Sequence, residues 1–114
     1  MTYQEINRFI ESIGLPSAYR AFPENNPENP APPFIVWYFD ESADLMADNE
    51  NYQQIRPLTI ELYTDKKDFI LEKAVETALK MGGFAYRRYE NDLPSECMYM
   101  VTYETTAIIT EEEN

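Results

Sequence analysis

The chain of 114 residues has no histidine, one cysteine and three glycines, and it sets nine basic residues against twenty-one acidic ones. Each shortage removes a class of chemistry. Without histidine, serine and cysteine nucleophiles lose their usual base and zinc loses its usual nitrogen ligand. Cys97 has no partner for an internal disulfide, and its neighbours Met98 and Tyr99 bring no positive charge to stabilise a thiolate, so it reads as a buried structural cysteine in a strand. Gly82 and Gly83 follow a helical pattern where a phosphate-binding loop would precede one. No window approaches eighteen apolar residues. The opening MTYQEINRFIESIG lacks the basic start and apolar stretch of a secretion signal, and a cytoplasmic protein is expected.

The deficit of positive charge leaves a net charge of -12, a field that repels the phosphates of nucleic acids and anionic lipids. Neither tight nucleic-acid binding nor membrane attachment is expected. What the chain does have is apolar mass: 44% of its residues are hydrophobic and 14% aromatic, enough for a packed core. The length implies one domain, assigned to residues 1–110, followed by a solvated acidic tail, 111–114.

Local patterns place the elements. Thr2 and Glu5 have the spacing of a capping box, and Ile6, Phe9, Ile10 and Ile13 form one apolar stripe of a helix that Gly14 can end. Residues 18–22 form a short first strand. Residues 23–33 hold five prolines and make a stiff connection that can project as an arm. FIVWYF, at 34–39, is apolar on both faces and reads as the central strand. From Leu58, alternation puts Leu58, Ile60 and Leu62 on one face and Thr59, Glu61 and Tyr63 on the other, with Pro57 near the strand's start. Asp65 is positioned to cap a second helix, whose apolar face would comprise Phe69, Ile70, Ala74, Val75, Ala78 and Leu79. Two more strands, at 84–90 and 97–108, flank a turn at 91–96. The order αβββαββ predicts an α+β fold with two helices on one face of a mostly antiparallel sheet of four to five strands.

Chemistry does not gather anywhere. Asp40, Glu41, Asp44, Asp48 and Glu50 lie in one segment without the alternating ligands and central glycine of a calcium loop. Arg87 and Arg88 stand beside Tyr86 and Tyr89, but Glu90 and Asp92 follow, so the arginines read as ion-pair partners within the domain or across a subunit boundary. Catalytic, cofactor-binding and metal-binding residues are all expected to be absent, and the protein is read as no enzyme and without cofactors.

Several of these segments resemble the tail-completion or head-tail joining proteins of long-tailed bacteriophages and prophages of Gram-positive bacteria. The resemblance rests on the first helix with Leu15-Pro16-Ser17-Ala18-Tyr19, on Pro32-Pro33-Phe34-Ile35-Val36, on Ala47-Asp48-Asn49 ahead of Tyr52, on 60–68 (IELYTDKKD), and on 98–104 (MYMVTYE). It implies a non-enzymatic subunit that forms a ring, commonly hexameric, on the head-proximal end of the tail tube and meets the head connector. It also implies residence in the bacterial cytoplasm during assembly and in the virion tail afterwards. In such a ring Asp40, Glu41, Asp44, Asp48 and Glu50 would face the lumen, where they let DNA slip past. Phe34, Val36, Trp37, Tyr38, Arg87 and Arg88 would form the subunit interface. The alternative from charge alone is a small acidic inhibitor or DNA mimic that binds a basic partner.

Overall fold

In the computed structural model, the described residues are 1–24, 26–40, 45–46 and 53–110. Helix α1 (Tyr3–Ser12) begins with the capping box: the Glu5 amide donates to Thr2 Oγ1 at 3.2 Å and the Thr2 amide donates to Glu5 Oε1 at 2.9 Å. Its stripe buries Ile6 and Ile10 completely and Phe9 and Ile13 in part. Gly14 then takes φ +94°, a conformation in which a Cβ would be strained, and turns the chain into the sheet.

The strands among the described residues are β1 (Ser17–Tyr19), β2 (Phe34–Phe39), β3 (Leu45–Met46), β4 (Gln53–Thr64), β5 (Arg87–Leu93) and β6 (Met98–Thr110), with α2 (Phe69–Met81) between β4 and β5. The sheet runs β1-β2-β4-β6-β5, and β3 adds to β4 beyond the end of β2. All twelve residues of β4 pair antiparallel with β6. Among these strands, β1 and β2 alone run parallel. Parallel neighbours need a crossover of a dozen or more residues, and the proline-rich stretch supplies it.

Register sorts the side chains by face. Ile35, Trp37 and Phe39 pair with Leu62, Ile60 and Leu58, which in turn face Val101, Tyr103 and Thr105. These residues, Thr105 aside, join Ile6, Ile10, Val75 and Leu79 in one core cluster, so both helices lie against this face of the sheet. The alternate residues, among them Phe34, Val36, Tyr38, Glu61 and Tyr63, point to the other face. The first residue ties the ends of the described chain together: the Met1 ammonium donates to the Ile108 carbonyl at 2.9 Å, and the Thr110 amide donates to the Met1 carbonyl at 2.8 Å.

The structure corrects several boundaries. The first strand stops at Tyr19, because Arg20, whose amide makes the last bond to β2 at the Trp37 carbonyl (2.8 Å), takes φ 71° and turns the chain away. Pro57 lies inside β4, where β2 has ended at the Phe39–Leu58 pair and β3 begins at Leu45–Ile55, so its missing N–H falls in a gap between two partners. The cap of α2 is Asp68, whose carboxylate accepts from the Leu71 amide at 2.9 Å, and not Asp65. Strand β5 starts at Arg87 because Phe84 folds into the core, with its ring centroid 5.0 Å from that of Phe9. Cys97 is exposed: it sits at φ 54° closing the turn of Pro94–Glu96, where a strand position was expected.

The contact of Phe9 with Phe84 passes over Gly82, the C-cap of α2, and a methyl group there would lie 2.8 Å from the Phe9 ring and 3.1 Å from the Phe84 ring. Gly82→Ala should therefore destabilise the fold by about 1–3 kcal/mol through overpacking, read from the urea unfolding midpoint. Adding Phe9→Leu should recover part of the loss. An unchanged midpoint in Gly82→Ala would show that the two helices do not meet there.

Candidate assembly surfaces

Helix α2 departs most from its expected pattern. Glu72, Val75, Glu76 and Leu79 are spaced three or four residues apart and form the inward stripe, with Glu72 only 3% exposed. Phe69 and Ile70, expected in the core, are 71% and 86% exposed, and Met81 is 85% exposed. The signal for Glu72 was its own spacing to Val75 and Leu79, which an apolar-only reading of the stripe passes over.

A buried carboxylate is costly unless paired, and Glu72 is held by two cations. Lys67 Nζ lies 2.7 Å from Oε2, and Arg88 donates through Nη2 to Oε1. Arg88 also bonds Glu76 Oε2 and Glu90 Oε2, each at 3.1 Å, while Lys67 reaches Glu90 and the Tyr103 hydroxyl donates to Glu76 at 2.9 Å. Lys67 and Arg88 with Glu72, Glu76 and Glu90 thus fasten α2 to the edge strand β5. Burial alone would lower the pKa of Lys67, but its hydrogen bonds to Glu72 and Glu90 outweigh it and raise the value. The bonds from Lys67 and then Arg88 hold the Glu90 carboxyl below its ordinary range. Arg88 is therefore an ion-pair partner within the domain.

The sheet face away from the helices carries an aromatic strip. Phe34 stacks on Tyr63 with centroids 5.0 Å apart, and Phe22 meets Phe34 edge-on at 5.2 Å. The Tyr63 and Tyr38 hydroxyls donate to the two oxygens of Glu61 at 2.8 and 3.1 Å, across from Val36, which is 7% exposed. Burial first, then the bond to Glu61, pushes the pKa of Tyr63 upward, and burial with the charge and hydrogen bond of Glu61 raises that of Tyr38. On this face Arg87 stands opposite Glu104.

Of the six residues expected at a subunit interface, Phe34, Val36, Tyr38 and Arg87 share this face, and Val36 is buried there within the chain itself. Trp37 and Arg88 lie on the helix side. Trp37 is 5% exposed and belongs to the core of the chain. Of the acidic segment, Asp40 is described: its amide donates to the Pro57 carbonyl at 3.0 Å. Glu41, Asp44, Asp48 and Glu50 lie outside the described residues.

A third surface is a groove of about 520 Å³ beside α1. Tyr19, Trp37 and Phe39 form its floor, Tyr3 and Asn7 one wall, and Arg8 and Glu11 part of its rim. The Arg56 guanidinium lies 4.6 Å from the Phe39 ring centre and donates to the Tyr3 hydroxyl at 2.9 Å. Among the described residues, no group of three or more cysteine or carboxylate side chains is placed to hold a metal ion, and no helix is long and apolar enough to cross a membrane.

Two measurements test these arrangements. Arg88→Met should cost about 2–3 kcal/mol, less than the about 3–5 kcal/mol of a fully buried pair, because Lys67 remains and Arg88 is partly solvated. Combining it with Glu72→Leu should cost less than the sum of the single changes in a double-mutant cycle; strict additivity would show that the two do not interact. For Tyr63, a raised pKa means that the folded chain holds the phenolic proton more tightly than the unfolded chain. Its contribution is complete below the ordinary value of 10.0 and is lost as pH rises above it. Tyr63→Phe should accordingly make unfolding free energy fall less steeply above about pH 10; an unchanged alkaline slope would refute the hydrogen-bonded placement.

No protein-family model matches the sequence, and no curated protein matches it. Among solved structures, a chain from the virion of a native gene transfer agent particle has a similar fold, with a TM-score of 0.59 at 16% identity over 96% of this chain and 91% of that chain. The likeness in fold extends over nearly the whole of both chains.

Proposed function

We propose that this chain is a non-enzymatic structural subunit of a phage or prophage particle, and specifically a tail-completion or head-tail joining protein. Its copies form a ring that caps the tail tube and contacts the head connector. The fold shared with a chain of a phage-like virion along almost its full length is the observation that carries the reading. Surface chemistry agrees with it. The chain exposes large apolar side chains on α2, as expected of a subunit that works by contact. A net charge of -12 suits a ring through which duplex DNA must travel, because a basic wall would hold the phosphates.

Deleting the coding sequence from the phage or prophage that carries it tests the proposal. Electron micrographs should show tails of irregular length with no heads attached, and supplying the chain in trans should restore joined particles. Tails of normal length joined to heads in the deletion strain would overturn it.

A further inference from the structure

The core does not account for the outer face of α2. Ile70, Ala74, Thr77 and Met81 recur at the spacing of one helical face, all four are exposed, and Phe69 adds a fifth exposed side chain at the helix start. All four lysines of the chain fall between positions 66 and 80, and two of them, Lys73 and Lys80, form an exposed row beside this apolar face. Glu76 stands three residues from Lys73 and four from Lys80, within helical reach of both, but it is turned to Arg88 and the Tyr103 hydroxyl. Neither lysine has an ion pair among the described residues. Lys80 in the last turn complements the helix dipole, whereas Lys73, in mid-helix, has no such role. We propose that α2 is a docking helix: its outer face seats in an apolar groove of a different virion protein, a groove with carboxylates along the wall that meets Lys73 and Lys80.

Charge identifies the partner. A chain with twenty-one acidic and nine basic residues would most simply carry acidic side chains on an exposed helix, yet both carboxylates within α2, Glu72 and Glu76, serve the ion cluster. The outer surface is left apolar and cationic. Apolar side chains at i, i+4, i+7 and i+11 are the pattern by which an amphipathic helix enters a groove, and the lysines add a condition. The carboxylates must stand on the wall toward β5, because Glu76, next to the lysines around the helix, reaches Arg88 of that strand. Lys73 and Lys80 set those carboxylates about 10 Å apart, at about 1.5 Å of rise per residue. The groove of a second copy does not match: beside α1 it is lined by Arg8 and Arg56 against one carboxylate, Glu11, and would repel the lysines. An anionic membrane is opposed by the net charge of -12, which two lysines do not reverse. That the partner belongs to the particle rests on the reading above; the face and the chemistry it calls for do not.

The test uses the full chain, supplied in trans to the deletion strain. With photoreactive p-benzoylphenylalanine in place of Thr77, at the middle of the face, irradiated particles should show the chain joined to a single other virion protein. The same group in place of Glu28, exposed on the proline-rich connection, should not give that product. Lys73→Glu with Lys80→Glu should lower incorporation into particles at least about tenfold, Lys73→Arg with Lys80→Arg should leave it unchanged, and exchanging the partner's carboxylates nearest the cross-link for lysine should restore the glutamate form. Circular dichroism with thermal unfolding checks that each form folds. Cross-links from position 77 to a second copy or to lipid, no cross-link to any protein, or normal incorporation of the glutamate form would overturn the docking assignment, while unjoined tails in the deletion strain would leave the ring reading standing. Particles that contain no copy of the unmodified chain would overturn both.

Discussion

The antiparallel ladder between β4 and β6 is the constraint on which the rest of the molecule depends. Every residue of β4 is paired in it. β2 and β3 attach to its outer side through β4, and β5 attaches through β6. Because side chains alternate with a period of two, this single register decides which residues face the helices. One row across the sheet makes the point: Trp37 pairs with Ile60, Ile60 with Tyr103, and Tyr103 with Arg88. The row begins at the aromatic floor of the groove, crosses the apolar core and ends in the ion cluster under α2. A slip of one residue in that ladder would turn Tyr103 and Arg88 away from the face that Trp37 and Ile60 occupy.

That row also explains why α2 is turned as it is. Arg88 stands at the edge of the helix side of the sheet, and covering its guanidinium requires carboxylates above it. Glu72 and Glu76 supply them from the inward stripe of α2, together with Val75 and Leu79. With those four positions committed, Phe69, Ile70 and Met81 have no way to reach the core. Leaving such side chains in water forgoes about 2 kcal/mol of burial each. The exposed apolar face of α2 is thus a consequence of how the helix is anchored, and so is its lack of exposed carboxylates.

Much of the fold was legible in local patterns. Thr2 and Glu5 specified a helix start, Gly14 its end, and the alternation from Leu58 to Tyr63 a one-sided strand, because caps and periodicities depend on neighbours a few residues away. The misassignments share one cause. Asp65 and Asp68 are equally able to cap a helix, and only the extent of β4 decides between them. Phe69 and Ile70 resemble core residues until Arg88, far along the chain, claims the inward side of α2 for carboxylates. Cys97, apolar and followed by Met98 and Tyr99, reads as the start of a strand, but the turn of Pro94–Glu96 closes at its left-handed conformation and keeps it out. The two arginines were read correctly as ion-pair partners in one case, Arg88, while alternation along β5 sent Arg87 to the other face.

By itself, the sequence determined the composition of the layers: two amphipathic helices, alternating strands, a stiff proline connection, and a charge balance that disfavours polyanions. Those properties follow from spacing and residue type along a short stretch of chain. Only the tertiary structure decided that β1 runs parallel to β2, that Glu72 is buried and Ile70 exposed, and that a groove beside α1 lies at the opposite end of the sheet from the bare face of α2. Each of these depends on pairings between residues distant in sequence, whose free energies are settled by which partners meet when the β4–β6 ladder closes, and no local pattern encodes that choice.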